Sequence, residues 1–384
     1  MELLENPVRP YAWGSRTTIA DLVGRPVPAP HPEAELWMGA HPGDPSRIGN
    51  TSLVEVLAAD PVGQLGAEVA ERWAGRLPFL MKVLAAEEPL SMQAHPSAEQ
   101  AAEGYAREEK QGIARDAATR NYPDPTPKPE LVCALTEFHA LAGFRDPHRT
   151  VELLAGDPNR EGLRALFTTW ITLPQPAIDA LLPELLDECV RHVKEHGPFE
   201  LECRTALELG ESYPGDAGVL AALLLNRLVL GPGEAIFLPA GNLHVYLSGT
   251  ALEVLANSDN VLRGGLTPKH VDVPELLRVL DFGYGDMIVT TGEQSGARHV
   301  YRTPAPEFEL SRLEWRDDAT PARLPGGTPR ILATIDGALT VAAEEKVVLP
   351  RGRAMWIPAS DPEITLTPAD TWTRAFAATP GHLA

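Results

Sequence analysis

The feature that most constrains the fold of this chain is a turn-and-strand pattern that occurs twice in its second half. In the first copy Gly233 is followed, after five residues, by Pro239, and in the second copy Gly352 is followed at the same spacing by Pro358. Glycine and proline at fixed positions separate short strands by tight turns. The repeat therefore predicts two related β-barrels. A glutamate replaces His244 in the second copy, so a metal is expected only in the first barrel.

Composition and residue spacing predict a mainly β protein with an α-helical insertion. The 384 residues include 37 prolines and 32 glycines, an excess that favours many turns and short strands. The length allows two or three domains, and a hydrophobic content of 44% is enough for a large core. Apolar residues at three- and four-residue spacing predict a helical insertion over residues 147–227, closed by a helix over 217–229.

We therefore divide the chain into four segments. Residues 1–146 and 228–300 are predicted to form the two parts of the first barrel, and residues 147–227 the helical insertion between them. Residues 301–384 are predicted to form the second barrel, which lacks a metal.

The net charge narrows the range of partners. Lysine and arginine together number 33 against 53 acidic residues, which gives −20 at pH 7. Such a chain repels nucleic acid and anionic membrane surfaces, so neither is expected as a partner. An anionic small molecule would need a locally basic pocket. We expect a monomer, although the sequence leaves the oligomeric state open.

The cysteines and the N-terminus point to a reducing compartment. Cys133, Cys189 and Cys203 are odd in number and no pair has CxxC spacing, which indicates neither a disulfide framework nor a thiolate zinc site. The first residues lack the basic head and long apolar run of a signal peptide. We therefore expect a cytoplasmic protein.

The stretch from Leu90 to Pro96 carries a candidate cation site. If it is extended, Ser91, Gln93 and His95 share one face, while two apolar side chains share the other. An imidazole and an amide oxygen two residues apart can bind one cation. The alternative is a strand whose polar face meets water, and this stretch alone does not decide between the two.

Further motifs follow this stretch in a definite order. A Trp13-Gly14 pair and the segment Glu35-Leu36-Trp37-Met38-Gly39 come before it. Lys128-Pro129-Glu130, Gly241-Asn242-Leu243-His244 and the loop from Ser258 to Lys269 come after it. The glycines, proline and histidine around His244 resemble the second motif of the cupin barrel, although Ser248 replaces its usual asparagine. Taken together, residues 6–280 resemble the type I phosphomannose isomerases.

That resemblance implies two cupin-like jelly-roll barrels plus an α-helical domain, with one zinc ion per chain. The zinc ligands it implies are Gln93, His95, Glu130 and His244. Two imidazoles, one carboxylate and one amide oxygen suit Zn²⁺ or a similar borderline ion. Without a thiolate to close the site, one position can stay open for water or substrate, as in catalytic metal sites.

The resemblance also implies the reaction, which interconverts mannose 6-phosphate and fructose 6-phosphate through an enediol. A cation must polarise the sugar oxygens, an acid–base group must carry a proton, and basic groups must hold the phosphate. Arg263 matches the family's catalytic arginine, and because guanidinium is a poor base we assign it an electrostatic role. The candidate proton carriers are Lys128, Asp259, Glu253 and a zinc-bound water, of which we favour Lys128. The candidate phosphate ligands are Ser91, Lys82 and Lys269.

One position departs from the family pattern, and two other functions stay open. Many relatives have a histidine directly before the Lys-Pro-Glu element, where this chain has Pro127. Any ring-opening role of that histidine must pass to Asp259 or to water. The alternatives are another metal-dependent cupin enzyme, either an iron oxygenase or a sugar epimerase, and a sugar-phosphate-binding cupin without catalysis.

Overall fold

The computed structural model describes residues 1–153, 159–197, 199–317 and 320–382. The strands of the first half are β1 (Glu2–Leu4), β2 (Val8–Arg9), β3 (Glu35–Gly39), β4 (Arg47–Ile48), β5 (Thr51–Ser52), β6 (Phe79–Ala86), β7 (Met92–Ala94), β8 (Glu130–Ala134) and β9 (Phe138–Phe144). The later strands are β10 (Leu225–Leu230), β11 (Ala235–Leu238), β12 (His244–Ala256), β13 (Leu262–Gly265), β14 (Val289–Thr290), β15 (Glu293–Ser295), β16 (Arg298–Tyr301), β17 (Glu309–Arg316), β18 (Ala322–Leu324), β19 (Arg330–Asp336), β20 (Leu339–Ala342), β21 (Lys346–Leu349), β22 (Ala354–Ile357), β23 (Ile364–Pro368) and β24 (Trp372–Thr379). The helices are α1 (Thr18–Leu22), α2 (Leu53–Ala59), α3 (Pro61–Leu65), α4 (Ala67–Arg72), α5 (Ala98–Gln111), α6 (Pro147–Leu153), α7 (Arg160–Ile171), α8 (Gln175–Lys194), α9 (Glu200–Ser212), α10 (Gly218–Ala222) and α11 (Val273–Val279).

Strand β12 organises the first part of the molecule, because it belongs to two sheets. Its first residues pair with β9 and β7, which join β10 and β13 in one sheet. Its later residues pair with β6 and β8, which join β2, β3, β11 and β14 in a second sheet. The prediction of a mainly β protein is confirmed by this arrangement.

The change of sheet happens at a bulge in β12. The register with β9 shifts between Tyr246 and Ser248, and Gly249 follows directly with φ +111°. A β-bulge bends its strand and increases the local twist, so the chain can turn from one sheet to the other. Gly249 is needed here, because a Cβ at this residue would lie 2.4 Å from the carbonyl oxygen of Glu137.

The helical insertion packs on the outer face of the β9–β10 sheet. Helices α7, α8, α9 and α10 share one apolar core with that sheet, around Phe144, Phe167 and Leu220. The predicted helix over 217–229 is wrong in its second half. The helix ends at Ala222, and residues 225–230 form strand β10 instead, because they complete the hydrogen bonding of β9.

The C-terminal part consists of two further sheets. Strands β15, β16, β17, β24, β19 and β22 form one, with the N-terminal strand β1 at its edge. Strands β18, β23, β20 and β21 form the other, and an apolar core that includes Trp315, Leu332 and Leu366 lies between them. The sheet that contains β17, β19 and β22 also packs on the outer face of the sheet that contains β6, β8 and β12. Trp356 and Met81 lie in the apolar core between these two sheets. The molecule is thus layered, with the helices at one end and the four-stranded sheet at the other.

None of the helices in the described residues combines the length and the apolar character that a membrane crossing requires.

We expect Gly249→Ala to destabilise the protein by at least about 2 kcal/mol, because it adds a steric overlap to a backbone conformation that L-residues disfavour. Urea unfolding of the full chain measures the difference. Gly285→Ala is the matched control. Its φ is +133°, but a Cβ there would meet open space, so it should cost only about 1 kcal/mol. Equal losses of stability in the two variants would contradict the proposed role of Gly249 at the bend of β12.

Candidate metal centre and active site

Three side chains from three strands meet between the two sheets of the first part. His95 follows β7, Glu130 begins β8, and His244 begins β12. The Nε2 of His95 lies 3.3 Å from one carboxylate oxygen of Glu130, and the Nε2 of His244 lies 3.4 Å from the other. One possible ligand atom from each of the three side chains lies within 4.8 Å of the other two. All three residues are at most 2% exposed.

The two histidines are held in the tautomer that a metal ligand needs. The Nδ1–H of His95 donates to the carbonyl oxygen of Asn260 at 2.7 Å, and the Nδ1–H of His244 donates to that of Asn242 at 3.1 Å. This leaves a lone pair on each Nε2. Both Nε2 atoms and one oxygen of Glu130 are buried and have no hydrogen-bond partner among the described residues. Buried polar atoms are normally paired, so these atoms fit a bound cation.

Gln93 lies beside this group. It pairs directly with His244 on one side and with Arg263 on the other, in adjacent strands. Directly paired residues in antiparallel strands project their side chains to the same face. The amide of Gln93 therefore points to the side of the sheet that carries His244, as a fourth ligand would.

Lys128 reaches the same carboxylate from the loop before β8. Its Nζ lies 3.2 Å from Glu130, and the residue is buried. Two hydrogen bonds fix the loop upstream of it, since the side-chain amide of Asn260 donates to the carbonyl oxygens of Asp124 and Thr126. Asn260 therefore joins the support of His95 to the segment that carries Lys128, a link that sequence reasoning missed.

A second buried network lies next to the metal group. The Nζ of Lys82 lies 2.7 Å from Glu253 and 3.0 Å from Glu35, and the Tyr246 hydroxyl donates to Glu253 at 2.6 Å. Burial raises the pKa of Glu253, although Lys82 partly opposes the shift. Burial also raises the pKa of Tyr246. The charge of Lys82 is thus matched by two carboxylates, and Glu253 uses both of its oxygens inside the network. Sequence reasoning missed Glu35 and Tyr246 as members.

Arg263 differs from these groups because it has no partner. It is half-buried on β13, and its guanidinium makes no hydrogen bond or ion pair with any of the residues the structure describes. Burial lowers its pKa. A free, partly desolvated guanidinium opposite Gln93 is suited to bind developing negative charge or an anion.

The remaining candidates, Asp259, Ser91 and Lys269, are more exposed than the metal group above. Asp259 has a side chain that is 60% exposed and lies 3.3 Å from the Nε2 of His41, whose hydrogen bond lowers the pKa of the carboxyl. Asp259, His41 and Pro127 line a cavity of about 690 Å³. Ser91 is half-buried one residue before β7, and Lys269 is exposed in the loop after β13. Only the structure pairs His41 with Asp259.

Comparison with known proteins agrees with this geometry. Residues 1–147 match the family model described as phosphomannose isomerase type I, catalytic domain. The mannose-6-phosphate isomerase of Escherichia coli is 39% identical, with 95% of this chain and 97% of the relative covered. The human mannose-6-phosphate isomerase is 32% identical, with 92% of each chain covered. The chain belongs to the type I phosphomannose isomerases.

Solved structures of phosphomannose isomerases share the whole fold. A variant of the Salmonella typhimurium enzyme superposes with a TM-score of 0.90 at 36% identity, with 100% of both chains covered. A mannose 6-phosphate isomerase described as holo and zinc bound gives a TM-score of 0.89 at 36% identity, with 99% of each chain covered. The resemblance drawn from the sequence motifs is confirmed for the full chain.

We expect Gln93→Ala and His244→Ala to lower zinc affinity by more than about tenfold, because loss of a ligand costs at least as much as loss of an outer hydrogen-bond partner. Metal analysis after dialysis against a zinc buffer measures the difference. The exposed residues Gln294 and His31 supply the matched controls, as Gln294→Ala and His31→Ala. Full zinc retention in both site variants would refute the ligand assignment.

The metal-free protein should lose stability as the pH falls from about 6.5 to about 4. Burial lowers the pKa of His95 to about 4 from 6.5, so in this window the unfolded chain binds a proton that the folded chain does not. The free energy of unfolding therefore rises with pH across the window. Urea unfolding at several pH values measures the slope. His95→Gln should flatten it, His31→Gln should not, and an unchanged slope in His95→Gln would contradict the assignment.

Proposed function

We propose that the protein interconverts mannose 6-phosphate and fructose 6-phosphate, with one zinc ion per chain held by Gln93, His95, Glu130 and His244. The observation that carries the proposal is the buried His–Glu–His group, whose two Nε2 atoms have lone pairs and no partner. The enzyme class follows from the family. The metal, its stoichiometry and the amide ligand are the parts that the experiments must establish.

The donor set suits the ion. Two neutral imidazoles and one carboxylate are typical of catalytic zinc sites, which keep a position for water or substrate. When bound, zinc would supply Lewis-acid polarisation of the sugar's carbonyl and hydroxyl oxygens. The hydrogen bonds to the carbonyl oxygens of Asn260 and Asn242 orient the two imidazoles toward the ion.

Lys128 is our candidate for the group that moves the proton between C1 and C2. Its Nζ lies next to Glu130, so a substrate oxygen near the ligand group would place the adjacent carbon within its reach. Glu253 is a weaker candidate, because Lys82 and Tyr246 occupy its two oxygens.

Arg263 is our candidate for stabilising the enediolate. Its guanidinium stays charged and forms no ion pair with a carboxylate among the described residues. Arg263 lies on β13 and pairs there with Gln93 of the neighbouring strand. A preorganised cation of this kind favours the charge that develops in the transition state over the neutral ground state.

The phosphate would be held at the outer edge of the site. Ser91 and the exposed Lys269 remain the candidates for that role. Among the described residues, no other side chain binds the hydroxyl of Ser91 or the side-chain nitrogen of Lys269. Lys82 is supported less well, since Glu35 and Glu253 already pair with it.

Ring opening lacks its usual candidate group in this chain. Many relatives have a histidine directly before the Lys-Pro-Glu element, and this chain has Pro127 there. Asp259 lines the cavity next to Pro127, is exposed, and is a carboxylate at neutral pH. We therefore propose that Asp259 accepts the proton of the anomeric hydroxyl while the bond from C1 to the ring oxygen breaks and the ring oxygen takes a proton from water, with His41 holding the carboxylate in place.

We extend the proposal to the finer fold. The two sheets that share β12 and the two C-terminal sheets each enclose an apolar core, which supports two jelly-roll barrels of the cupin type. The four segments 1–146, 147–227, 228–300 and 301–384, a monomeric state and a cytoplasmic location stay predictions.

Incubation of the zinc-loaded chain with mannose 6-phosphate tests the proposed function. Formation of fructose 6-phosphate, and its loss on chelation with recovery on adding zinc, is the expected result. An iron oxygenase or a sugar epimerase would not yield this product, and a binding protein would leave the substrate unchanged.

We expect Arg263→Ala to keep its zinc and its fold but to lose turnover by about 10²- to 10³-fold, because an electrostatic contact to the transition state is removed. Steady-state kinetics together with metal analysis checks both parts. Arg353→Ala removes an exposed arginine and should keep full activity. An active, zinc-replete Arg263→Ala enzyme would contradict the assigned role.

A further inference from the structure

Arg330, at the start of β19, is a buried cation without a counter-charge. It is 3% exposed, and its only hydrogen bond joins a terminal guanidinium nitrogen to the carbonyl oxygen of Pro325. Its Nε is buried and has no partner. No carboxylate lies within ion-pair distance of it among the residues that the structure describes. Burial, followed by the charge of Arg298, lowers its pKa to about 10.

The other buried arginines show how unusual this is. Arg120 pairs with Glu108 at 2.9 Å, Arg145 pairs with Glu202 at 3.1 Å, and Arg312 contacts Glu314 at 3.5 Å. Removing a charge from water costs several kcal/mol unless a partner compensates, so buried guanidinium groups are normally paired. Within the described part of the chain, Arg330 alone among the buried arginines lacks a carboxylate.

Arg330 lines a cavity of about 580 Å³ that is built on one side by the loop 325–329 and on the other by the α3–α4 connection. This volume is in the range of small-molecule pockets. The cavity is far along the chain from the metal ligands and shares no lining residue with them. It also shares no lining residue with the cavity at Asp259, so the two are separate cavities.

The cavity brings three arginines together, although the chain as a whole is acidic. The guanidinium groups of Arg298, Arg302 and Arg330 line it beside two carboxylates, those of Glu309 and the exposed Glu68. Glu309 lies between Arg298 and Arg302 at 3.4 and 3.3 Å, and Arg302 also pairs with Glu293 at 2.9 Å. Within the residues that the structure describes, Arg330 is therefore the guanidinium of this lining that no carboxylate matches.

We propose that this cavity is a second binding site, separate from the isomerase site, for the phosphate group of a small molecule. The planar guanidinium of Arg330 would bind the phosphate oxygens through its terminal nitrogens, as arginine forks do, since its Nε is enclosed by protein. Arg298 and Arg302, which are paired with Glu309 and Glu293, would lie beside the bound anion. The ligand thus supplies the counter-charge that the fold omits.

Calorimetric titration of the full-length, zinc-loaded protein with inorganic phosphate tests the proposal. Buffers must be free of phosphate and sulfate, and sodium chloride must keep the ionic strength constant. We expect Arg330→Met to weaken one phosphate-binding component by roughly tenfold or more, because a charge-assisted hydrogen bond is lost. Its kcat and KM for mannose 6-phosphate should stay near those of the unchanged protein.

Two further variants protect the test against misfolding and against general charge effects. Arg302→Ala alters a half-exposed side chain and should also weaken phosphate binding, whether or not Arg330→Met folds. Arg323→Met removes an exposed arginine of the same sheets that pairs with Glu363, and it should bind phosphate normally. Superimposable titrations of the unchanged protein, Arg330→Met and Arg302→Ala would overturn the proposal, as would equal weakening in Arg323→Met.

The same titration with mannose 6-phosphate and with mannose identifies the source of the phosphate. Binding of both phosphate compounds that depends on Arg330, with none for mannose, indicates a phosphorylated metabolite. Dependence on Arg330 for inorganic phosphate alone indicates the free ion. Dependence on Arg330 for mannose would refute recognition through the phosphate.

Discussion

The carboxylate of Glu130 holds together the interior of the first two sheets. It contacts two imidazoles through its two oxygens and the ammonium of Lys128 through one of them. Burial raises its pKa, but its contacts with His95, Lys128 and His244 more than offset this and hold the pKa well below the usual 4.5. Lys128 is the cation that this carboxylate has in a dry interior, and the lone pairs of the two neutral imidazoles face it as well. A bound divalent ion would complete the same balance.

A second balance of charges lies beside the first. Lys82 stands between Glu35 and Glu253, and Tyr246 and Trp37 donate to the two carboxylates from the outer ends. Each polar atom of this chain of contacts has a partner, whereas the Nε2 atoms of the histidines have none. The contrast separates a network that stabilises and orients the site from the atoms left for a ligand.

A similar contrast marks the C-terminal sheets. Their interior is apolar, and most charged groups at its edge are paired. Arg330 is the exception, and it lies where a cavity opens between the sheets and the first helices. The same physical rule, that buried charged groups require partners, supports both the metal group in the first part and the cavity at Arg330 in the C-terminal part.

The sequence by itself determined the family, the β-rich class and the residues that could bind a cation. The motif order predicted Gln93, His95, Glu130 and His244, because metal ligation needs particular donor atoms. The structure brings His95, Glu130 and His244 together, and the role of Gln93 as a ligand stays a prediction. Local patterns failed at residues 225–230, whose apolar spacing suits a helix but whose hydrogen bonds complete the sheet of β9. Propensity is a weak prior, and pairing with a neighbouring strand overrides it.

Only the tertiary structure decided which groups became partners. Strict alternation along β12 would place Glu253 on the face opposite to His244 and Tyr246. The bulge before Gly249 shifts that alternation by one residue, so Tyr246 reaches Glu253. The pairing of His41 with Asp259 likewise depends on segments far apart in the chain, as does the lack of a carboxylate beside Arg330 among the described residues. Residue types fix what chemistry is possible, whereas distances between distant side chains arise from packing.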